Sequence, residues 1–291
     1  AIKLDGKLDE PVWQQAKAQN DFQFPTGRAK SESFAQTDFR LIAARSGVYI
    51  GITCQEPLMA KINAEEAQKR NLTRVFEKEH IEIFISPENN RNCYYQFAIC
   101  INNGQWNQYF IEGGTAQLER YNALWQSEVF RGMDFWSIEV HLPYSAFYHT
   151  PADIWSSQWL FNITRDRKVG TLREITSWSR LEQHFQEPAN FNAITGMPMK
   201  SPEADLNISK VNFLPEKIAD GNMTGPLQIT LLSGVARKNV EFQLGEPFNR
   251  TFKQDMREGL NEFSMPDFAV PKDINRRPFS LKVEAFDNNG Q

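Results

Sequence analysis

Glu82 and Gln96 offer hydrogen-bonding chemistry in an ordered setting. They stand in two stretches of alternating character. His80 to Ser86 sets Ile81, Ile83 and Ile85 against Glu82 and Phe84. Asn92 to Asn102 sets Tyr95, Phe97, Ile99 and Ile101 against Tyr94, Gln96, Ala98 and Cys100. Such alternation puts one set on the core face of a sheet and the other on its outer face. The turn between them, Pro87-Glu88-Asn89-Asn90-Arg91, is rich in residues that reverse a chain. If Ser86 pairs with Asn92, Phe84 lies opposite Tyr94 and Glu82 opposite Gln96. On an open face, that carboxylate and amide can hold adjacent hydroxyls of a sugar by paired hydrogen bonds. Flat rings beside them can cover the C–H face of a pyranose. The same residues also fit a plainer role, a solvated cross-strand pair.

The elements that must position this pair are short strands. Ahead of them, Asp5-Gly6 signals a turn, and Asp9 is placed to cap a short helix starting near Pro11. Val12, Trp13 and Ala16 give that helix one apolar side. Thr37 to Ala44 and Val48 to Thr53 read as a hairpin turning at Arg45-Ser46-Gly47. Residues 60–71 read as a surface helix or long loop. Phe135 to Leu142, Trp159 to Arg165 and Ile175 to Ser179 are further strands. The pattern breaks near Met197-Pro198-Met199-Lys200-Ser201-Pro202-Glu203, a linker. Beyond it, Leu206 to Phe213, Gly225 to Leu232, Asn239 to Leu244, Gly259 to Met265 and Pro278 to Phe286 are strand-like. The fold class expected is therefore all-β. A β-sandwich over residues 1–198 is followed by a smaller immunoglobulin- or fibronectin-like sandwich over 203–291. Asn288-Asn289-Gly290-Gln291 comes directly after a strand, as in a domain cut from something longer.

Composition narrows the function. The chain has 291 residues, a net charge of -4, and 32 Lys+Arg against 36 Asp+Glu. That balance supplies no general basic surface for nucleic acid. No stretch approaches the roughly 20 apolar residues of a membrane span. All seven Trp lie before residue 180, so the two halves differ in character. Trp13, Trp136 and Trp159 sit in apolar-periodic segments and read as core. Trp106 stands among amides just past a strand, where an exposed loop position would suit sugar contact. Cys54, Cys93 and Cys100 read as three buried free thiols.

Several blocks, in order, resemble a known family. Ile2-Lys3-Leu4-Asp5-Gly6-Lys7-Leu8-Asp9-Glu10-Pro11-Val12-Trp13 resembles the opening of the family 9 carbohydrate-binding modules, DOMON-like β-sandwiches of cellulose- and xylan-binding type. Ile81 to Pro87, Tyr94-Tyr95-Gln96-Phe97 and Phe135 to Pro143 resemble successive strands of that pattern. Phe161 to Arg167, then Ser177-Trp178 and Phe191, resemble its last blocks. The resemblance covers residues 1 to about 196. It implies a non-catalytic, secreted, periplasmic or cell-surface module that binds oligo- or polysaccharide, fused to or associated with a carbohydrate-active enzyme. Carried over by position, it implies a sugar held between Phe76 and Trp178. Glu82 and Gln96 fix its hydroxyls, with Asn162 and Arg165 as further donors or just behind the site. Phe76 stands where Trp is common. The acidic pair that often precedes the glutamate strand reads Glu77-Lys78-Glu79-His80, and the aromatic tail reads His184-Phe185-Gln186-Glu187-Pro188. Some members carry structural calcium. Asp5, Asp9, Asp38 and Glu79 have the right chemistry, but no EF-hand-like spacing is present, and no calcium ligand is assigned.

Two other classes stay open. One is a structural or interaction sandwich that has lost sugar binding, which the Phe76 departure favours. The other is a glycoside hydrolase, which needs two carboxylates about 5–9 Å apart; Glu82 and Glu139 are its strand-borne candidates.

Overall fold

The alternating segments become strands, and their apolar faces meet. The structure is a computed structural model describing residues 2–27, 35–62, 73–117, 121, 123–147, 155–199, 206–233, 235–244, 250–271 and 283–286. The chain divides into two compact units, residues 1–147 with 154–200, and residues 148–153 with 201–291.

The first unit opens with a short helix, α1 (Pro11–Gln15). Its N-cap is Glu10, not Asp9, and makes no side-chain capping bond. Eleven strands follow: β1 (Thr37–Ala43), β2 (Gly47–Gln55), β3 (His80–Ser86), β4 (Tyr94–Cys100), β5 (Gln105–Ile111), β6 (Ala116–Gln117), β7 (Gln126–Arg131), β8 (Phe135–Pro143), β9 (Gln158–Val169), β10 (Leu172–Ser177) and β11 (Asn192–Thr195). They build a four-stranded sheet, β1-β2-β8-β7, and a seven-stranded sheet, β10-β9-β3-β4-β5-β6 with β11 also on β9. Every pairing is antiparallel. Ile81, Ile83, Ile85, Tyr95, Phe97, Phe161 and Ile163 face Phe39, Ile50, Ile52, Trp136, Ile138 and Val140 across one aromatic-rich core. Trp13, Trp136 and Trp159 are buried, as the apolar periodicity predicts. The reading of 60–71 is met only by a 3-10 turn at Met59–Lys61; residues 63–72 lie outside the described set. Cys54 and Cys100 are buried, whereas Cys93, in the β3–β4 turn, is half-buried.

The opening motif closes the outer face of the four-stranded sheet. Gly6 adopts a φ of +81°, and any side chain there would collide with the Phe130 backbone. Trp13 lies against Gly51 of β2, where a Cβ would press into the indole.

The second unit holds β12 (Leu206–Phe213), β13 (Lys217–Ala219), β14 (Asn222–Ser233), β15 (Arg237–Leu244), β16 (Arg250–Met256), β17 (Gly259–Pro271) and β18 (Val283–Phe286). One sheet joins β12, β13 and β17 to β14; the other is β16-β15-β18. Ile229, Leu231 and Phe268 of the first pack with Val240, Phe242 and Leu244 of the second. The predicted strand starting at Pro278 is described only over Val283–Phe286.

Candidate functional site

The β3–β4 register differs from the expected one by two residues. Ile85 pairs with Tyr95, Phe84 with Gln96, and Glu82 with Ala98. The connection between the strands runs from Pro87 to Cys93, longer than the five residues the sequence suggests. A two-residue shift leaves every side chain on its expected face, because the strand period is two. Glu82 and Gln96 are therefore diagonal neighbours rather than opposite ones. Gln96 Nε2 donates to Glu82 Oε2 across the diagonal.

That outer face is covered, not open. Phe84 and Tyr94 pack with Leu160, Leu181, Phe185 and Phe191, which cap one end. Glu187 holds this covering loop: its carboxylate accepts the N–H groups of Glu182, Gln183 and His184 and the Asn190 amide. Burial pushes the Glu187 carboxyl upward, but those four donors outweigh it and bring it down to about 2. The other end is capped by Val75 and Phe76, from the 3-10 turn Thr73–Glu77, together with Trp106 of β5. Ala98, directly opposite both Glu82 and Trp106, leaves room for the indole. Phe76 and Trp106 meet edge to face, centroids 5.0 Å apart. Beneath these caps, Glu82 is 4% exposed and Gln96 1%.

The polar strip is incompletely satisfied. Glu82 Oε1 lies 3.2 Å from His80 Nε2. Gln96 Oε1, the Tyr94 hydroxyl and the Thr164 hydroxyl are buried without a hydrogen-bond partner among the described residues. Burial and the nearby Glu82 charge both push the Tyr94 phenol upward.

The other expected site residues separate. Asn162, opposite Phe84, is on the same face, but its amide is committed to Ser177 Oγ at 3.0 Å and to the Ser179 N–H at 2.7 Å. Arg165 pairs with Ile81 and so belongs to the core side. Its guanidinium bonds Glu79 at 2.8 Å and Glu56 at 3.3 Å, joining the two sheets behind the strip. Trp178 packs edge-on against the core rings Phe39 and Phe161, at 5.1 and 6.1 Å. Phe76, Glu82 and Gln96 thus come together, with Trp106 and His80 as neighbours. Trp106 was legible through the amides around it, but it is half-buried on β5 rather than in an exposed loop; His80 was hidden in the strand signal.

The two glycosidase candidates are on different sheets. Glu139 is fully buried on the outer face of the four-stranded sheet, accepting N–H bonds from Asp5 at 2.8 Å, Gly6 at 2.9 Å and the Trp13 indole at 2.9 Å. The sandwich core separates it from Glu82, so the pair cannot bracket a glycosidic bond. The calcium donors are likewise dispersed. Asp38 pairs with Arg40 and Glu79 with Arg165, and no group of three or more His, Cys, Asp or Glu stands together among the described residues. These residues do not fit a calcium site. Among the described residues, no helix is long and apolar enough to cross a membrane.

A family model described as "Carbohydrate family 9 binding domain-like" matches residues 4–195. Among solved structures, a carbohydrate-binding module of family 9 from Caldicellulosiruptor kristjanssonii in complex with cellotriose is similar at 13% identity and a TM-score of 0.49, over 70% of this chain and 93% of that one. The same organism's module with glucose is similar at 13% identity and a TM-score of 0.47, over 67% and 91%. No curated protein matches the chain.

Proposed function

The chain belongs to the family 9 carbohydrate-binding modules, and on that footing we propose that the outer face of its seven-stranded sheet binds an oligosaccharide without cleaving it. One observation supports this placement above others: Gln96 Oε1 and the Thr164 hydroxyl, next to the Glu82 carboxylate on the same sheet face, are buried without a partner among the described residues. A buried polar group without a partner costs about 1–3 kcal/mol. Sugar hydroxyls supply the missing donors and acceptors. Phe76 and Trp106, both half-buried, separate from their edge contact and lie along the sugar ring. Asn162, on the same face, fixes the Ser177–Ser179 segment, and Arg165 holds the frame from the core side.

A second reading, a scaffold without sugar affinity, is favoured by the near-complete burial of Glu82 and Gln96 under those rings. Tryptophan fluorescence separates the two. Titration with cellotriose, glucose and a panel of soluble oligosaccharides is expected to perturb emission and saturate. Trp106→Ala is expected to remove that response, while Trp178→Ala keeps it. Flat titrations across the panel would leave the scaffold reading standing.

Two wider elements belong to this proposal. The module works outside the cytoplasm, with a carbohydrate-active enzyme fused to it or beside it; fractionation of the native cells is expected to recover it there. Residues 203–291 form a separate immunoglobulin-like domain, and limited proteolysis near 197–203 is expected to release two folded fragments.

A further inference from the structure

His80 Nδ1 lies 2.8 Å from the Lys78 carbonyl oxygen, which only accepts, so Nδ1 carries a hydrogen. Nε2 faces Glu82 Oε1 at 3.2 Å. An ionised carboxylate and a bare imidazole nitrogen are both acceptors, so this contact requires one more proton. It resides on Nε2, giving imidazolium and carboxylate, or on Oε1, giving neutral imidazole and carboxylic acid. The proton count is the same either way. On the far side, Glu82 Oε2 accepts from Gln96 Nε2, which leaves Gln96 Oε1 as a buried acceptor with no partner among the described residues.

We propose that His80 and Glu82 share one proton, and that His80 is a positioning residue holding Glu82, and through it the Gln96 amide, in the orientation that receives a sugar hydroxyl. This rests on the carbohydrate reading above. The surroundings agree. Opposite His80 stand Asp166 on β9 and Cys100 on β4. The Asp166 carboxylate is paired with Arg173 at 2.7 Å and Lys168 at 3.3 Å. Phe76 covers the imidazole edge-on at 5.4 Å, and the uncharged Thr164, opposite Glu82 on β9, is on the same face. Burial alone would lower the His80 pKa, but the Glu82 hydrogen bond and charge, helped by the Lys78 carbonyl and Asp166, raise it overall. When the proton leaves to solvent at higher pH, two lone pairs face each other and Glu82 loses its anchor.

The test uses the full chain with cellotriose as probe. Nitrogen-15 NMR is expected to show both His80 ring nitrogens protonated at neutral pH, with loss of one proton above the ordinary imidazole value of about 6.5. Affinity is expected to fall about tenfold through the same transition, as a one-unit change in the pair's pKa on binding requires. His80→Gln places an amide donor there with nothing to titrate, and is expected to flatten the profile. A singly protonated His80 at neutral pH, or a wild-type affinity that does not change between about pH 5.5 and 9, overturns the proposal. Binding at no pH overturns the sugar reading and the ligand role with it, while the NMR titration still decides the shared proton by itself.

Discussion

Glu139 and Glu82 occupy equivalent kinds of position, mid-strand on the outer face of a sheet and covered by neighbouring chain. Glu139 receives three donors, two backbone N–H groups on one oxygen and an indole on the other, so both of its oxygens are engaged. Glu82 receives two, and beside it Gln96 and Thr164 each keep a buried polar atom without a partner among the described residues. A carboxylate that pins a motif is saturated by that motif. A carboxylate that serves a ligand sits among groups the fold leaves unsatisfied. Glu79 and Glu56, between the sheets, behave like the first kind: Arg165 joins them, and Arg167 bonds both Glu56 oxygens at 2.6 and 2.8 Å.

The largest effect is expected at the saturated carboxylate. Glu139→Leu strands the Asp5 and Gly6 N–H groups and the Trp13 indole, and is expected to cost about 4 kcal/mol at about 1–3 kcal/mol per orphaned group. Urea denaturation reads this directly; a loss below about 1 kcal/mol would break the contrast with Glu82. Next is Arg165→Met, which leaves Glu79 and Glu56 facing each other in the core. Removing one partner from a buried ion pair costs about 3 kcal/mol, by the same measurement.

The third effect concerns the loop that covers the Glu82 face. Glu187 titrates near 2 in the folded protein, below the ordinary carboxylate value. A depressed pKa gives stability that is present above the unfolded value of about 4.3 and lost as pH falls toward 2. The melting-temperature gap between wild type and Glu187→Gln is expected to shrink steadily over that window; a constant gap would show the carboxylate is not holding the loop. The smallest effect carries the opposite sign. Thr164→Val keeps the shape and removes an unpartnered hydroxyl, so it is expected to stabilise by about 1 kcal/mol. Destabilisation of similar size would mean the hydroxyl is already satisfied.

Much of this was legible in sequence because burial leaves a period. The Ile81-Ile83-Ile85 and Tyr95-Phe97-Ile99 alternation fixed which face is core, and it survived a two-residue error in register because both registers share that face. The error came from the turn, whose length no residue type announces. β5 was missed because both of its faces carry amides: Asn107 bonds the Trp125 indole at 3.0 Å, while Gln108 is on the side of Gln96. The aromatic tail was named from the resemblance, but its covering role was not legible, for a related reason. Leu181, Phe185 and Phe191 show no strand or helix period, and only the Glu187 bonds give their loop a shape. Parity along β9 was the signal that separates Asn162 from Arg165, since they are three residues apart and so face opposite ways.

The central claim is that unsatisfied polar atoms around Glu82 mark a carbohydrate site. Isothermal titration of cellotriose and a soluble oligosaccharide panel into wild type and Gln96→Leu, each first shown to be folded by its thermal melt, tests it most directly. The account expects saturable one-site binding to wild type and none to Gln96→Leu, with the variant's stability within about 1 kcal/mol of wild type. Equal binding by both proteins, or a Gln96→Leu chain that loses several kcal/mol and still binds, would contradict it.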